Sequence, residues 1–258
     1  MAKKTTKGTG PANARQAKIQ AAQKSGGGGA NKIVVATVVL VVAIVAVVAG
    51  VVWSENQRQS AIGTSTATPA GATMGEGYRS FADVTLKPGA PTVDLYEDFQ
   101  CPVCGQFEAA VGPTVDELAK EGKIKLVYHV LNFLDDKTGA KNSTPAGNGA
   151  FCAAADGKFQ AFHDAVYGAQ ADEGTDVTDT ELDAWAQQAG ITGDALTTWK
   201  SCVADGTYTK YIASVNDAAF KISGFSGTPT VMIDGKMQDL GTVATPQGFT
   251  KAVEDATT

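Results

Sequence analysis

Two cysteines held two residues apart, Cys101 and Cys104 in EDFQCPVCGQF (97–107), are the residues of this 258-residue sequence best suited to chemistry. A CxxC pair can clamp a metal, staple the chain or cycle as a redox disulfide. A structural zinc site takes four ligands, commonly two CxxC pairs or one CxxC with two spaced histidines. Here Cys152 and Cys202 stand singly, and the two histidines, His129 and His163, fall on an expected strand and an expected helix rather than at ligand spacing. A CxxC staple closes too small a loop to restrain the unfolded chain much. The redox reading has a physical basis. Cys101 ends an expected strand, and Pro102 suits the first turn of a helix because the N–H it lacks would be unpaired there anyway. The amides of Val103 and Cys104, with the helix dipole, then favour a Cys101 thiolate. Such settings lower a thiol pKa from about 8.5 to between about 3.5 and 7.5. A low-pKa sulfur leaves easily, so its disulfide is readily attacked and passed on. Far downstream, Gly227-Thr228-Pro229-Thr230 opens another strand; a trans turn is the ordinary reading, since only about 5–6% of X–Pro bonds are cis.

The elements that must position these residues are legible in the periodicities. TVDLYEDF (92–99) is a strand by its β-branched and aromatic content. From Pro102 to Lys120, Phe107, Val111, Val115 and Leu118 recur at helical spacing. KIKLVYHVLNFL (123–134) is almost continuously apolar and reads as a central strand. Strand, helix, strand suggests a parallel βαβ unit. Residues 144–170, 178–189, 193–204 and 207–222 carry helical patterns separated by Gly and Asp clusters. GTPTVMIDGKMQDLG (227–241) reads as a hairpin turning at Asp234-Gly235. TPQGFTKAVEDA (245–256) closes as a helix capped by Thr245 with Pro246 at its first position. The fold class is α/β with an all-helical insertion over about 143–222.

Charge divides the chain. Residues 1–32 hold Lys3, Lys4, Lys7, Arg15, Lys18, Lys24 and Lys32 and no acid. With seven of the 21 basic residues there, the remainder has 14 against 27 acidic ones, which argues against nucleic acid as its partner. Between the two parts lies IVVATVVLVVAIVAVVAGVV (33–52), uncharged and about 30 Å long as a helix, followed by Trp53, a ring suited to a membrane interface. We read 1–32 as a basic disordered tail, 33–53 as a transmembrane helix, 54–79 as a flexible linker and 80–258 as the folded domain. A cleaved signal peptide is the competing reading of the apolar run. Either places the domain outside the cytoplasm, where disulfides persist; an uncleaved anchor gives a single-pass protein of the cell membrane with a cytoplasmic N-terminus.

FQCPVC, the helical insertion, GKFQAFHDAVYGAQ (157–170) and GTPTVMIDG together resemble the DsbA family of thiol-disulfide oxidoreductases in the thioredoxin superfamily, over residues 80–258. The resemblance implies a thioredoxin-like fold and, at Thr228-Pro229, a cis proline beside the redox pair. It implies an exposed Cys101 that forms the mixed disulfide, a buried Cys104 that resolves it, Pro102 and Val103 as tuning residues, and Thr228 and Pro229 as substrate-binding residues. It further implies oxidation of reduced exported proteins, reoxidation by a quinone-linked membrane partner of the DsbB or vitamin-K-epoxide-reductase-like type, and no organic cofactor or metal. Two positions depart from the family pattern. Val103 stands where strong oxidants often carry histidine, and Leu95 stands where relatives often keep a buried acid. Glu97 and Asp98 are nearer the pair and could relay protons, but a solvated strand end is the simpler expectation.

Cys152 and Cys202 fall on two insertion helices and are read as a structural disulfide, the alternative being two buried thiols. His129 and His163 are read as packing or capping residues, and the helices of Trp185 and Trp199 as insertion core. Asn142-Ser143-Thr144 matches a glycosylation sequon, read as incidental, with Ser143 or Thr144 more useful as a cap before Pro145. The same redox residues could serve a reductase or isomerase, and a non-catalytic metal-binding or holdase module is the reading from a different class. A monomer is the default, since no dimerisation segment stands out.

Overall fold

The computed structural model describes residues 30–61 and 63–257, with side chains over 35–51 and from 63 onward. Two units result, residues 1–59 and 60–258. Of the first, the described part, residues 30–59, belongs to helix α1 (Ala30–Ala61), whose side chains over 35–51 are exposed and mostly valine. Among the described residues no helix is long and apolar enough to cross a membrane. Of the tail expected over 1–32, residues 30–32 are helical; residues 1–29 and the Trp53 side chain lie outside the described residues.

The second unit is built on a five-stranded sheet: β1 (Tyr78–Arg79), β2 (Thr92–Asp98), β3 (Lys125–Leu131), β4 (Thr230–Ile233) and β5 (Lys236–Met237), in the order β1-β3-β2-β4-β5. Helix α2 (Pro102–Lys120) is the crossover that lets β2 and β3 run parallel, aligned from Thr92 opposite Lys125 to Asp98 opposite Leu131. β4 returns antiparallel on the other side of β2, with Thr230 opposite Tyr96. Val93, Leu95, Leu126, Tyr128, Val130 and Val231 bury the sheet, and Phe107, Val111 and Val115 of α2 cover it. Each such side chain removed from water contributes about 1.5–3 kcal/mol.

The helical segment contains α3 (Phe133–Thr138), α4 (Ser143–Ala154), α5 (Phe159–Gly168), α6 (Asp179–Gln188), α7 (Gly193–Ala204) and α8 (Thr209–Ala219). The pattern over 144–170 is two helices, because the chain reverses at Gly157, which takes a φ of 66°. α4 is rich in small residues because its neighbours press close. A Cβ on Gly147 would meet Val130 and Ile212, and Trp199 donates its indole N–H to the Gly149 carbonyl at 2.9 Å. Trp185 and Trp199 are buried.

Three local expectations change. Residues 63–79, expected within a flexible linker, hydrogen-bond to the domain. The Gly75 amide donates to Ser214 at 2.9 Å, the Tyr211 hydroxyl to the Glu76 carbonyl at 2.7 Å, and Tyr78–Arg79 extends the sheet. The linker's small polar composition hides these contacts because the backbone supplies them. β3 ends at Leu131 because Asn132 turns the chain into α3. The second hairpin strand stops at Met237, since Asp239 caps a short helix, α9 (Leu240–Val243), by accepting from the Thr242 amide. The closing helix α10 (Pro246–Ala256) starts as read, with the Thr245 hydroxyl accepting from the Gly248 amide.

Candidate active site

β2 delivers Cys101 to the N-cap of α2, and Pro102 occupies the first helical position. The chain turns there through the Cys101 amide, which donates to the Asp98 carbonyl at 2.8 Å. Both cysteines are free thiols. Cys104 is 0% exposed, one turn inward on α2. Cys101 is only 7% exposed, more covered than the resemblance implied, because Leu134 and the partly buried Phe133 and Tyr167 close around the pair. Pro102 and Val103 face solvent. The Thr228–Pro229 peptide is cis, and the Cys101 thiol lies 3.5 Å from the Thr228 carbonyl oxygen. Antiparallel pairing of β4 to β2 brings this loop, 127 residues downstream, against Cys101.

The two sulfurs have opposite electrostatics. A hydrogen bond from Cys104 lowers the Cys101 pKa to about 6 against the opposing effect of burial, with Thr228 and the amides of Cys104 and Val103 adding to the lowering. Burial pushes the Cys104 thiol well up, helped by its bond to Cys101 and by the charge of Glu97. Alkylation of Cys101 in the reduced protein is therefore expected to rise through pH 6 and level off above pH 7. An ordinary thiol would still be rising near pH 8.5. Iodoacetamide rates followed by mass spectrometry check this, and a midpoint above pH 8 would refute the assignment.

The expectation of a solvated strand end at Glu97 and Asp98 is corrected: both are buried. Asp98 accepts from the amides of Gln100 and Leu134 and so ties β2 to α3. Burial outweighs these bonds and raises its pKa to about 7. Glu97 contacts His163 at 2.9 Å. Burial alone would lower the His163 pKa, but bonds to Asp164 and Glu97 and the charges of Glu108 and Glu97 lift it to about 10. His163 is thus a charge partner as well as a packing residue. Burial and the Glu97 charge hold Glu108 well above the usual carboxylate range. His129 contacts Asp94 at 2.9 Å and stacks on Tyr96.

The cap reading at 142–144 also changes, while the sequon there stays incidental. Asn142 and Ser143 are buried, which removes the sequon from the surface. Asp135, not Ser143 or Thr144, caps α4 by accepting from the amides of residues 142, 143 and 144 at 3.0, 2.7 and 2.8 Å. Gln100 and Gln170 escaped sequence reasoning. Gln100 is fully buried and links Ser143, Thr138 and Gly174 beneath the cysteine turn. Gln170 donates to the carbonyls of Phe99 and Cys101, and its side chain takes the space a Cβ on Gly105 would need. Cys152 and Cys202 form a disulfide joining α4 to α7.

A family model described as thioredoxin matches residues 87–255. Among solved structures, DsbA of Mycobacterium tuberculosis in its reduced form is 27% identical with a TM-score of 0.56, covering 70% of this chain and 92% of that one. A disulfide bond oxidoreductase of the same organism, DsbG, is 28% identical with a TM-score of 0.56, covering 72% and 89%. The serine/threonine-protein kinase PknE of M. tuberculosis is 33% identical over 156 residues, 57% of this chain and 27% of the kinase, so this chain spans about a quarter of that curated relative.

Proposed function

This chain belongs to the thioredoxin family and is a protein thiol-disulfide oxidoreductase, and we propose that it works as an oxidase, donating the Cys101–Cys104 disulfide to exported proteins. One observation carries the reading: Cys101 sits at the helix N-cap, 3.5 Å from the Thr228 carbonyl oxygen, with Cys104 fully buried one turn inward, a placement that lowers the first thiol's pKa and raises the second's. A substrate thiolate attacks Cys101 Sγ, the S–S bond breaks, and Cys104 takes the electron pair and a proton. A second substrate thiolate attacks the substrate sulfur of the mixed disulfide. Cys101 then leaves as a stabilised thiolate. The substrate loses two electrons and two protons, and the cysteine pair gains the two electrons.

Thr228 and Pro229 serve as the substrate-pairing loop, supported by the contact of Cys101 Sγ with the Thr228 carbonyl. An apolar ledge beside them suits unfolded polypeptide. Phe133 packs against the cysteines, stands 5.3 Å from Phe220, and Phe220 stands 5.2 Å from Phe225; Phe220 and Val103 are about half exposed. Location outside the cytoplasm is supported by the Cys152–Cys202 disulfide, since such bonds persist in oxidising compartments. The uncharged run at 33–52 after a basic segment supports a membrane anchor with its N-terminus inside. Reoxidation falls to a quinone-linked membrane enzyme of the DsbB or vitamin-K-epoxide-reductase-like type, and the working unit is a monomer.

The test is a single turnover of the oxidised protein with a reduced, unfolded protein carrying two cysteines. One disulfide appears in the substrate per chain consumed if the reading holds. No transfer, with reduction of substrate disulfides by the dithiol form instead, would move the protein to the reductase class.

A further inference from the structure

One turn beyond Cys104 on α2, Glu108 faces a buried group that thiol chemistry does not require. Glu97, Glu108 and His163 are 3%, 8% and 1% exposed, and one ligand atom from each lies within 4.8 Å of the other two. Glu97 Oε2 is 2.9 Å from His163 Nε2 and the Glu108 carboxyl bonds to Glu97, yet no other group bonds to Glu97 Oε1 or Glu108 Oε1. Buried carboxylate oxygens are rarely left so, because each loses its hydration without replacement. The other ring nitrogen, Nδ1, lies 3.5 Å from Asp164 Oδ1. A carboxylate behind the free nitrogen is the support that metal-ligating histidines ordinarily have. Glu108 and Asp164 line a cleft of 430 Å³ together with Asp116 and Tyr167, whose Oδ1 and hydroxyl are likewise unpartnered.

We propose that Glu97, Glu108 and His163 form a divalent-cation site that meets this cleft at Glu108, distinct from the cysteine pair. One imidazole nitrogen and two carboxylates suit a borderline ion such as Zn²⁺. Bonds of about 2.0–2.2 Å place tetrahedral ligand atoms roughly 3.3–3.6 Å apart, so the Glu97–His163 contact needs to open by only a few tenths of an ångström. Glu108 lines the cleft, which can supply water as a further ligand, and the cation in its lining, Lys120, is paired with Asp116 at 3.0 Å. Binding replaces the protons that the three groups otherwise share, so affinity rises with pH.

The probe is Zn²⁺ alone, titrated calorimetrically into the full oxidised protein, where the Cys101–Cys104 disulfide removes both thiols as ligands. One saturable equivalent per chain is expected, with weaker binding at pH 6 than at pH 8. Glu108→Gln has the shape of the neutral acid and keeps the metal-free packing, as an unchanged circular dichroism spectrum checks; its affinity falls at least about tenfold. Asp164→Asn, at a half-exposed position, keeps the fold independently and weakens binding about tenfold by loosening the histidine. Absence of saturable binding by the wild type, or binding unchanged in both variants, overturns the site and leaves a triad that only shares protons. Disulfide transfer plays no part in this readout, so its failure leaves the oxidase reading intact.

Discussion

Replacing Cys101 with alanine reduces disulfide transfer to the uncatalysed background, whereas replacing Cys104 removes the disulfide to be donated but leaves Cys101 able to form mixed disulfides. The asymmetry follows from the two thiols. With a pKa of about 6, Cys101 is ~90% thiolate at pH 7, against about 3% for an ordinary cysteine. In the proposed mechanism it is the sulfur that substrates meet, and it lies 3.5 Å from the Thr228 carbonyl oxygen. Cys104, fully buried and held as a thiol, cannot take its place. A Cys104→Ala protein loaded with glutathione at Cys101 therefore exchanges onto a substrate that carries a single cysteine, and the resulting mixed disulfide persists because neither Cys104 nor a second substrate thiol is there to release it. Non-reducing gels and mass spectrometry read both results. Substrate trapped through Cys104 in the Cys101→Ala protein would reverse the assignment.

The second large effect concerns stability. Cys152 and Cys202 are 50 residues apart and join α4 to α7 within the helical segment. Closing a loop of that length stabilises by about 4 kcal/mol through the unfolded chain. The double Cys152→Ala, Cys202→Ala variant should lose about that much in urea unfolding. For a domain of this size that is roughly a 10 °C fall in melting temperature. Cys101 should keep its alkylation profile, because the bond lies on helices that do not carry the redox pair. A loss below about 1 kcal/mol would mean the bond restrains little.

Much of the catalytic frame was legible because local chemistry and tertiary demand agree there. Pro102 starts α2 where its missing N–H is harmless, the βαβ pattern fixes Cys101 at a strand end, and Thr245-Pro246 starts the last helix. What sequence reasoning missed lies mainly where polar groups are buried. Glu97 shares a strand face with Val93, Leu95 and Phe99, and Glu108 shares the helix face of Cys104 and Val111, so both carried a readable sign of burial. Charge argued for solvent and misled, because the compensating partner, His163, lies 66 residues from Glu97. Gln100, Gln170 and the Asp135 cap have no local signal, since their partners come from distant turns and backbone groups. Residues 63–79 failed as a linker for the same reason: their bonds to Ser214 and Tyr211 are formed by main-chain atoms that composition does not report.

Equilibration of the protein with glutathione buffers at pH 7 tests the oxidase claim most directly. A thiolate pKa of about 6 lies between the thioredoxin value near 7 and the DsbA value near 3.5. Val103 in place of a histidine withholds the extra charge that would lower it further. The reduction potential should accordingly fall between about −180 and −240 mV, above the roughly −270 mV of thioredoxin. Structural disulfides of secreted proteins lie below about −300 mV, so donation from this pair runs downhill. A potential at or below about −270 mV would contradict the account and mark Cys101–Cys104 as a reductant.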